Sequence, residues 1–333
     1  MKTVSVMLQN LCVPCENRCR YCLLSWDGNC AGVPWEAGEE FALRFTRWMS
    51  ENRPDLSFSY SFGYSMEHPQ LERALRFLRQ IGSPQAEFLQ CDGMKMRSES
   101  ECERLSEMLA REGVKKLSFT VYGLKEYHDR FAARRGDFDL IVRMMRAARA
   151  AGLTVTAGIP LTNENAPQAD ELIGFLRSEA SESGLRLFIP HEEGRGVMLS
   201  DVRLTLENFE KLSGQARTLL NPNAYRTEES WLMAGFSEEQ NRTLIISLRR
   251  DNIDRYSEMG FEAILAEAEK LDETYYAAFP DANELARHCG DPAGESFYSE
   301  RDLKYHYRRL YALEHGVHPY DVCDERQTGS RRH

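Results

Sequence analysis

The sequence predicts an α/β fold, a partial (β/α)6 TIM-like barrel with a mostly helical C-terminal extension. Six short apolar segments alternate with amphipathic helical segments between residues 3 and 189, and a cysteine-rich loop follows the first of them. Alternating strands and helices form parallel sheets with right-handed crossovers, and chemistry then lies at the carboxyl ends of the strands. We expect a barrel core over residues 1–195 and a helical extension capping it over residues 196–333.

The strands are assigned from apolar runs or from alternation of apolar and polar residues, as in the Phe/Tyr/Ser segment at 56–62. Each is followed by a segment with helical spacing, and a proline or glycine marks where most of these helices stop. The expected strands are 3–8, 56–62, 86–91, 114–121, 153–159 and 185–189.

Residues 200–333 have a different pattern, in which tyrosines and charges are interleaved and helical segments are expected at 206–220, 261–271 and 302–315. The tyrosines are expected to pack against the barrel, although one of them could relay a radical. Arg331 and Arg332 belong either to a frayed terminus or to a segment that binds an anionic substrate, and the sequence leaves both open.

Composition restricts the classes of function. The 333-residue chain has a net charge of −10 and no apolar run long enough to span a membrane. Its first residues lack the pattern of a signal peptide, so we expect a cytoplasmic protein without a membrane partner. The basic residues are scattered, which argues against nucleic acid as the main partner.

Five of the nine cysteines fall within the first 30 residues, and in a reducing compartment such clustering indicates metal binding. Cys15, Cys19 and Cys22 form a C-x3-C-x2-C triplet. Three thiolates can hold three irons of a [4Fe–4S] cluster and leave the fourth iron open. Two alternatives remain: a zinc site, which would need a further Cys/His pair, and a closed electron-transfer cluster with Cys12 as fourth ligand.

This triplet, with Tyr21 before its last cysteine and a strand before the loop, resembles the radical SAM enzymes over roughly residues 3–195. The resemblance implies one [4Fe–4S] cluster whose open iron is chelated by S-adenosylmethionine. It also implies a reductant such as flavodoxin or ferredoxin, and cleavage to a 5′-deoxyadenosyl radical that abstracts hydrogen from substrate. Only Cys289 and Cys323 lie in the extension, so no auxiliary cluster is expected.

The resemblance also implies a cofactor pocket. The segment 62–69 takes the place of the family's Gly-Gly-Glu-Pro stretch around the methionine ammonium. Here Gly63 matches the second glycine, whereas Tyr64 and Ser65 stand where glutamate and proline are usual, and Met66 follows. Tyr21 is expected to shield the cluster and touch adenine.

Later strand ends supply further candidates. Thr120 begins a segment similar to Ser-x-Asp-Gly and offers a hydroxyl to the cofactor, and Arg134 is placed to grip its carboxylate, with Arg130 and Arg135 as rivals. Cys91-Asp92-Gly93 takes the place of a Thr-Asn-Gly segment. The remaining candidates, expected beside adenine, are Leu161, Thr162, Asn163 and Pro190.

The predicted function is reductive cleavage of S-adenosylmethionine, followed by hydrogen abstraction from a peptide or protein, because residues 120–138 resemble peptide and protein maturases. A small polar metabolite, a glycyl-radical partner enzyme and an electron-transfer role are the alternatives. Whether the outcome is oxidation, isomerisation or lysis stays open, as does the acid or base that completes turnover. Glu193 and Arg195, after the sixth strand, belong either to a solvated loop or to the substrate site.

Overall fold

Parallel strands alternate with helices along the computed structural model, as the sequence predicts. The structure describes residues 1–13, 15–22, 32–63, 65–180, 184–192, 194–221, 223–238 and 241–317, except for the side chains of residues 65, 194 and 195. The strands are β1 (Lys2–Val13), β2 (Ser57–Gly63), β3 (Phe88–Gln90), β4 (Lys116–Thr120), β5 (Thr154–Pro160), β6 (Leu185–Phe188), β7 (Arg226–Thr227), β8 (Asn241–Ser247) and β9 (Phe297–Tyr298).

The helices range from one and a half to five turns. They are α1 (Trp35–Asn52), α2 (Leu71–Gln80), α3 (Glu99–Arg111), α4 (Lys125–Phe131), α5 (Asp137–Ala150), α6 (Ala169–Glu179), α7 (Leu206–Glu210), α8 (Gly214–Leu219), α9 (Glu228–Ala234), α10 (Ile253–Glu258), α11 (Phe261–Ala277), α12 (Ala282–Cys289) and α13 (Glu300–His315). None of these helices is both long and apolar enough to cross a membrane.

Two parallel sheets form the frame of the core. One has the order β2-β1-β8 and the other β3-β4-β5-β6, while β7 and β9 make a small antiparallel pair. In the first sheet Leu8 pairs with Tyr60 on one side and with Ile246 on the other. Because all strands of each large sheet run the same way, their carboxyl ends and the loops that follow share an edge.

The sequence pattern predicted no strand in the C-terminal half, yet β8 pairs with β1 along seven register positions. The segment Thr243–Ser247 is a short apolar run, a pattern that periodicity alone does not distinguish from a buried helical turn. The extension therefore contributes a strand to the first sheet as well as helices.

Two further differences concern short helices. The single helix expected over residues 206–220 is two helices, α7 and α8, because Ser213 caps the second one by accepting a hydrogen bond from the backbone N–H of Ala216. The seven-residue helix α4 was not predicted. It carries a charged or polar residue at most positions and is too short to show a clear apolar stripe.

The two faces of the sheets differ in chemistry. Successive residues of a strand face opposite sides of the sheet. On one side, apolar residues such as Val6, Leu8, Leu117 and Phe119 are buried under the surrounding helices. The alternate residues point to the opposite, inner face and are mostly hydroxyl or amide residues. These are Ser5, Gln9, Ser57, Ser59, Ser61, Gln90, Ser118, Thr120, Thr154, Thr156, Thr243 and Ser247.

Some of these inner residues bond across neighbouring strands. The hydroxyl oxygens of Ser5 and Thr243 lie 2.5 Å apart, and Ser247 Oγ donates to Gln9 Oε1 at 3.3 Å. The interior of a closed eight-stranded barrel is filled with bulky branched side chains. The inner face, which we call the hydroxyl face, is instead suited to water or to a polar ligand.

The position of β8 depends on a buried ion pair. Arg242 donates to Asp272 Oδ2 at 2.8 Å and to Thr3 Oγ1 at 2.9 Å, which ties β8 to α11 and to β1. Asp272 is fully buried and Arg242 nearly so. A buried carboxylate that loses its cation is strongly destabilising.

We therefore expect Arg242→Leu to lower the free energy of unfolding by roughly 3 kcal/mol. The control is Arg255→Leu, since Arg255 pairs at 2.6 Å with Glu267 on the same helix α11 but at the surface, where such pairs contribute about 1 kcal/mol or less. Urea denaturation followed by circular dichroism measures both. Equal losses in the two variants would contradict this account of β8.

Candidate cluster and cofactor site

The loop that follows β1 is held by backbone hydrogen bonds at every second residue. Its N–H groups bond to the loop after β3 and to the end of α4, so segments that follow β1, β3 and β4 meet there. The bonds are Glu16 N to Gly93 O (3.0 Å), Arg18 N to Ala132 O (3.0 Å) and Arg20 N to Phe131 O (3.1 Å). The loop therefore has a defined path that does not depend on its cysteine side chains alone.

Cys15 lies directly against Gly93. Gly93 has φ +65°, and a Cβ at this residue would lie 2.1 Å from Cys15 Sγ. The backbone conformation favours glycine, and so does the space, because the thiol occupies the position of the missing side chain. Burial raises the pKa of the Cys15 thiol to about 12.

Cys19 is buried, and its Sγ lies 3.1 Å from the hydroxyl of Tyr122, just after β4. Burial raises the pKa of the Cys19 thiol. The backbone N–H of Cys22 bonds to the carbonyl of Cys19 at 3.1 Å, which folds the end of the loop into a turn. Cys19 and Cys22 both contact an aromatic group that includes Tyr122 and Phe131.

Tyr21 packs edge-on against Tyr122, with ring centroids 5.8 Å apart, and against Phe131 at 5.6 Å. Tyr122 and Phe131 are themselves stacked at 4.5 Å. The aromatic residue of the triplet thus lies in an apolar wall beside two of the cysteines, a position compatible with the shielding role predicted for it.

The ends of β3 and β4 are joined by a carboxylate. Asp92 Oδ1 accepts from the Thr120 backbone N–H, and Asp92 Oδ2 from the Thr120 hydroxyl, both at 2.8 Å. Burial raises the pKa of Asp92, while the bonds from Thr120 and Gln90 act in the opposite direction. The candidate hydroxyl of Thr120 is therefore bonded to the carboxylate of Asp92, to which the Cys91-Asp92-Gly93 resemblance gave no role of its own.

Arg134 is directed inward, whereas its rivals Arg130 and Arg135 are exposed. Its guanidinium bonds to the Met94 carbonyl and to the carboxylate of Asp137. Its Nε is buried without a protein partner. The arginine predicted to grip the cofactor is thus already ion-paired beside the loop that follows β3.

Asp137 also receives bonds from two other residues. Asn17, between Cys15 and Cys19, donates to Asp137 Oδ2 at 2.9 Å, and His128 Nε2 lies 3.1 Å from the same oxygen. Burial tends to raise the pKa of Asp137, but the bonds and charges of His128 and Arg134 outweigh it and hold the pKa below its usual range. In the sequence Asp137 resembles an ordinary acidic residue in the first turn of a helix, so no signal selected it.

The loop after β2 is described only in part. Gly63 pairs with Val13 of β1, and it has φ +90° with the Val13 carbonyl 2.9 Å from where a Cβ would lie. Met66 is buried in the core cluster of the second sheet, within a 3-10 turn at Ser65–Glu67. Tyr64 and the side chain of Ser65 lie outside the described residues.

The candidates after β5 and β6 make contacts within the protein. Leu161 is fully buried, Thr162 bonds through its N–H to Asn165 Oδ1 at 2.8 Å, and Asn163 Oδ1 accepts from the Thr205 N–H at 3.0 Å. The Pro190 carbonyl accepts from Arg203 at 3.3 Å. Their part in binding a cofactor stays a prediction.

A second polar group lies at the end of β6. His191 Nδ1 is 3.2 Å from Asp302, a fully buried residue of α13, and the buried Glu192 bonds to His306 at 2.9 Å and pairs with Arg203. The position of this loop after the sixth predicted strand favoured Glu193 and Arg195, and not His191 or Glu192, as substrate-site candidates. Glu193 and the side chain of Arg195 lie outside the described residues, as do Cys30, Cys323, Arg331 and Arg332.

Cys12 differs from the triplet. It is the penultimate position of β1, its Sγ lies 3.8 Å from the carbonyl oxygen of Phe62 in β2, and it packs on the core cluster under α1 and α2. Cys15, Cys19 and Cys22 lie on the loop itself. Three cysteines on one short loop, with Cys15 in the space that a side chain at Gly93 would fill, fit an iron–sulfur cluster with one open iron.

Comparison with known proteins agrees with this chemistry. The model of the radical SAM superfamily matches residues 10–176, half of the 333-residue chain. The chain belongs to the radical SAM superfamily. Radical SAM proteins use an iron–sulfur cluster and S-adenosylmethionine, so the predicted family and cofactors are confirmed. No curated protein matches the chain.

The solved structures to which this chain is similar are distant from it in sequence. Native anSMEcpe with bound AdoMet has a TM-score of 0.52 at 14% identity, covering 94% of this chain and 97% of that one. Coproporphyrinogen III oxidase (HemN) from Escherichia coli has a TM-score of 0.46 at 11% identity, covering 93% and 90%. The likeness to anSMEcpe confirms the predicted α/β partial barrel.

SuiB of Streptococcus suis, solved with bound S-adenosylmethionine, has a TM-score of 0.42 at 14% identity. The match covers 56% of this radical SAM chain and 40% of SuiB, so the chain spans well under half the length of that relative.

We expect Gly93→Ala to lower the iron bound per chain after anaerobic reconstitution, because the new methyl group would displace the Cys15 thiol. Gly152→Ala is the matched control, since Gly152 has φ +81° but no atom within 4 Å of its would-be Cβ. Both variants bear a similar backbone cost of about 1 kcal/mol. If both lose iron equally, the contact between Gly93 and Cys15 is not the cause.

Proposed function

We propose that Cys15, Cys19 and Cys22 hold a single [4Fe–4S] cluster and that the chain cleaves S-adenosylmethionine to start radical chemistry on a peptide or protein. The observation that carries this proposal is the cysteine loop, clamped by backbone bonds to the ends of β3 and α4 with Cys15 against Gly93. When bound, the cluster and S-adenosylmethionine together supply a 5′-deoxyadenosyl radical, and the protein positions and shields it.

The residues around the loop have distinct parts in this proposal. Tyr21 and its aromatic neighbours exclude water from one side of the cluster. Arg134 offers its guanidinium to the carboxylate of the cofactor, and the Asp92–Thr120 pair offers hydrogen-bonding groups to its ribose or ammonium. Gly63 and Met66 border the methionine end. Reducing equivalents come from flavodoxin or ferredoxin.

A peptide substrate is supported by two observations. The hydroxyl face presents many short donors and acceptors at the spacing of neighbouring strands, which suits the repeating polar groups of a peptide backbone. The similarly folded anSMEcpe is also known with AdoMet and a peptide bound. A small polar metabolite would use the same face with fewer contacts.

The electron-transfer alternative requires Cys12 as a fourth ligand. Its place in β1 facing the carbonyl of Phe62, and its packing on the cluster under α1, favour an open iron instead. The alternative is therefore the weaker of the two functions, and one variant distinguishes them.

The test is anaerobic reconstitution with iron and sulfide, reduction with dithionite, and assay of 5′-deoxyadenosine after addition of S-adenosylmethionine. The wild type and Cys12→Ala should both form it, and the triple variant Cys15/Cys19/Cys22→Ala should form none. A cluster that reduces without producing 5′-deoxyadenosine, or that Cys12→Ala destroys, would overturn the proposal in favour of electron transfer.

The substrate class is tested with a dialysed cell lysate. We expect the macromolecules kept inside the dialysis membrane to stimulate 5′-deoxyadenosine formation. Treating them with protease should abolish this stimulation. Mass spectrometry then identifies a peptide that changes mass only in the presence of the active protein. Stimulation by the small-molecule filtrate alone, unaffected by protease, would contradict a peptide substrate while leaving the cofactor chemistry intact.

A further inference from the structure

A buried carboxylate lies beneath the cysteine loop and is not one of its ligands. Asp137, the first residue of α5, is 1% exposed, and its nearest polar partners come from three different segments. Asn17 belongs to the loop, His128 to α4 and Arg134 to the connection between α4 and α5. One side chain thus joins the cysteine loop, α4 and the connection between α4 and α5.

The proton positions in this group follow from the bonds themselves. His128 Nδ1 accepts from the Tyr122 backbone N–H at 3.1 Å, so Nε2 carries the proton and donates to Asp137. The Asn17 amide donates through Nδ2, and Arg134 is a donor only. Every side chain that contacts the carboxylate of Asp137 is a hydrogen-bond donor. An ionised carboxylate can accept from all of them, whereas the amide of an asparagine would place its own NH2 group against one of these donors.

The same group reaches toward two cluster cysteines. Through His128 it fixes the backbone of Tyr122, whose hydroxyl lies 3.1 Å from Cys19 Sγ. Through Arg134 it fixes the Met94 carbonyl, next to the Gly93 that cradles Cys15. Asn17 itself is the middle residue between Cys15 and Cys19. Residues that surround metal ligands and bond to them or to their neighbours orient those ligands and set the electrostatic environment of the metal.

We propose that Asp137 is a positioning residue of the cluster site, whose carboxylate holds Asn17, His128 and Arg134 in one hydrogen-bonded group and thereby fixes the loop that carries Cys15 and Cys19. The inference rests on the proposed cluster ligands. It does not rest on cleavage of S-adenosylmethionine, so it is tested on the cluster alone.

The test compares Asp137→Asn with Asp139→Asn, reconstituted identically. Both changes remove one carboxylate from the first turn of α5, but Asp139 is half-exposed and pairs with Lys125 at the surface. We expect Asp137→Asn to release its iron to a chelator roughly tenfold faster than the wild type. Asp139→Asn should behave as the wild type.

The midpoint potential of the cluster is the second measurement. Removing a buried negative charge near the cluster should make reduction easier, so the potential of Asp137→Asn should move to more positive values, and the electron paramagnetic resonance signal of the reduced cluster should change shape. A carboxylate that served only to stabilise the fold would alter the unfolding temperature and leave both cluster properties unchanged.

Asn17→Ala keeps the inference testable if Asp137→Asn fails to fold. It removes only the link to the loop and leaves Asp137 bonded to His128 and Arg134, so the fold should survive while iron release becomes faster. Iron release and potential equal to those of the wild type in Asn17→Ala, or in a folded Asp137→Asn, would overturn the inference. Cluster formation without any cleavage of S-adenosylmethionine would instead count against the proposed function alone.

Discussion

The structure around the candidate site depends on the backbone bonding of the cysteine loop at alternate residues. When every second backbone N–H of a segment donates a hydrogen bond to one side, the residues in between face the opposite side, as in a β-strand. Here the neighbours are the loop after β3 and the end of α4, so the segment after β1 of one sheet is bonded to segments that follow β3 and β4 of the other sheet. The thiols are thus placed by the sheet as well as by their spacing in the sequence.

The sequence predicted the frame of the fold because its main signals are local. These signals are the spacing of the cysteines, the apolar–polar alternation in β2 and the glycines that end helices. Each of them spans only a few residues. Together they were enough to predict the alternation of parallel strands with helices and the position of the triplet after β1. The strand β8 was missed because its partner is in β1, far away in the chain, and because a short apolar run carries no period of its own.

The candidate site was predictable only where chemistry follows from residue type. Thiols in a triplet have few roles other than metal binding, whereas Asp92 and Asp137 are common residues whose importance lies in what surrounds them. Burial, and the convergence of donors from separate segments, arise only in three dimensions. For the same reason Arg134 could be selected from its position after Thr120, through the family resemblance, but its ion pair with Asp137 could not.

The order β2-β1-β8 has a consequence for how the chain is made. The contact between Ser5 and Thr243 joins residues 238 positions apart, so β1 remains an edge strand until most of the chain has left the ribosome. Closing so long a loop is a late and slow event, and the unpaired edge of β1 is meanwhile open to wrong partners. The first sheet therefore cannot be completed before β8 has been synthesised, unlike the sheet of a barrel whose strands all pair with neighbours in the sequence.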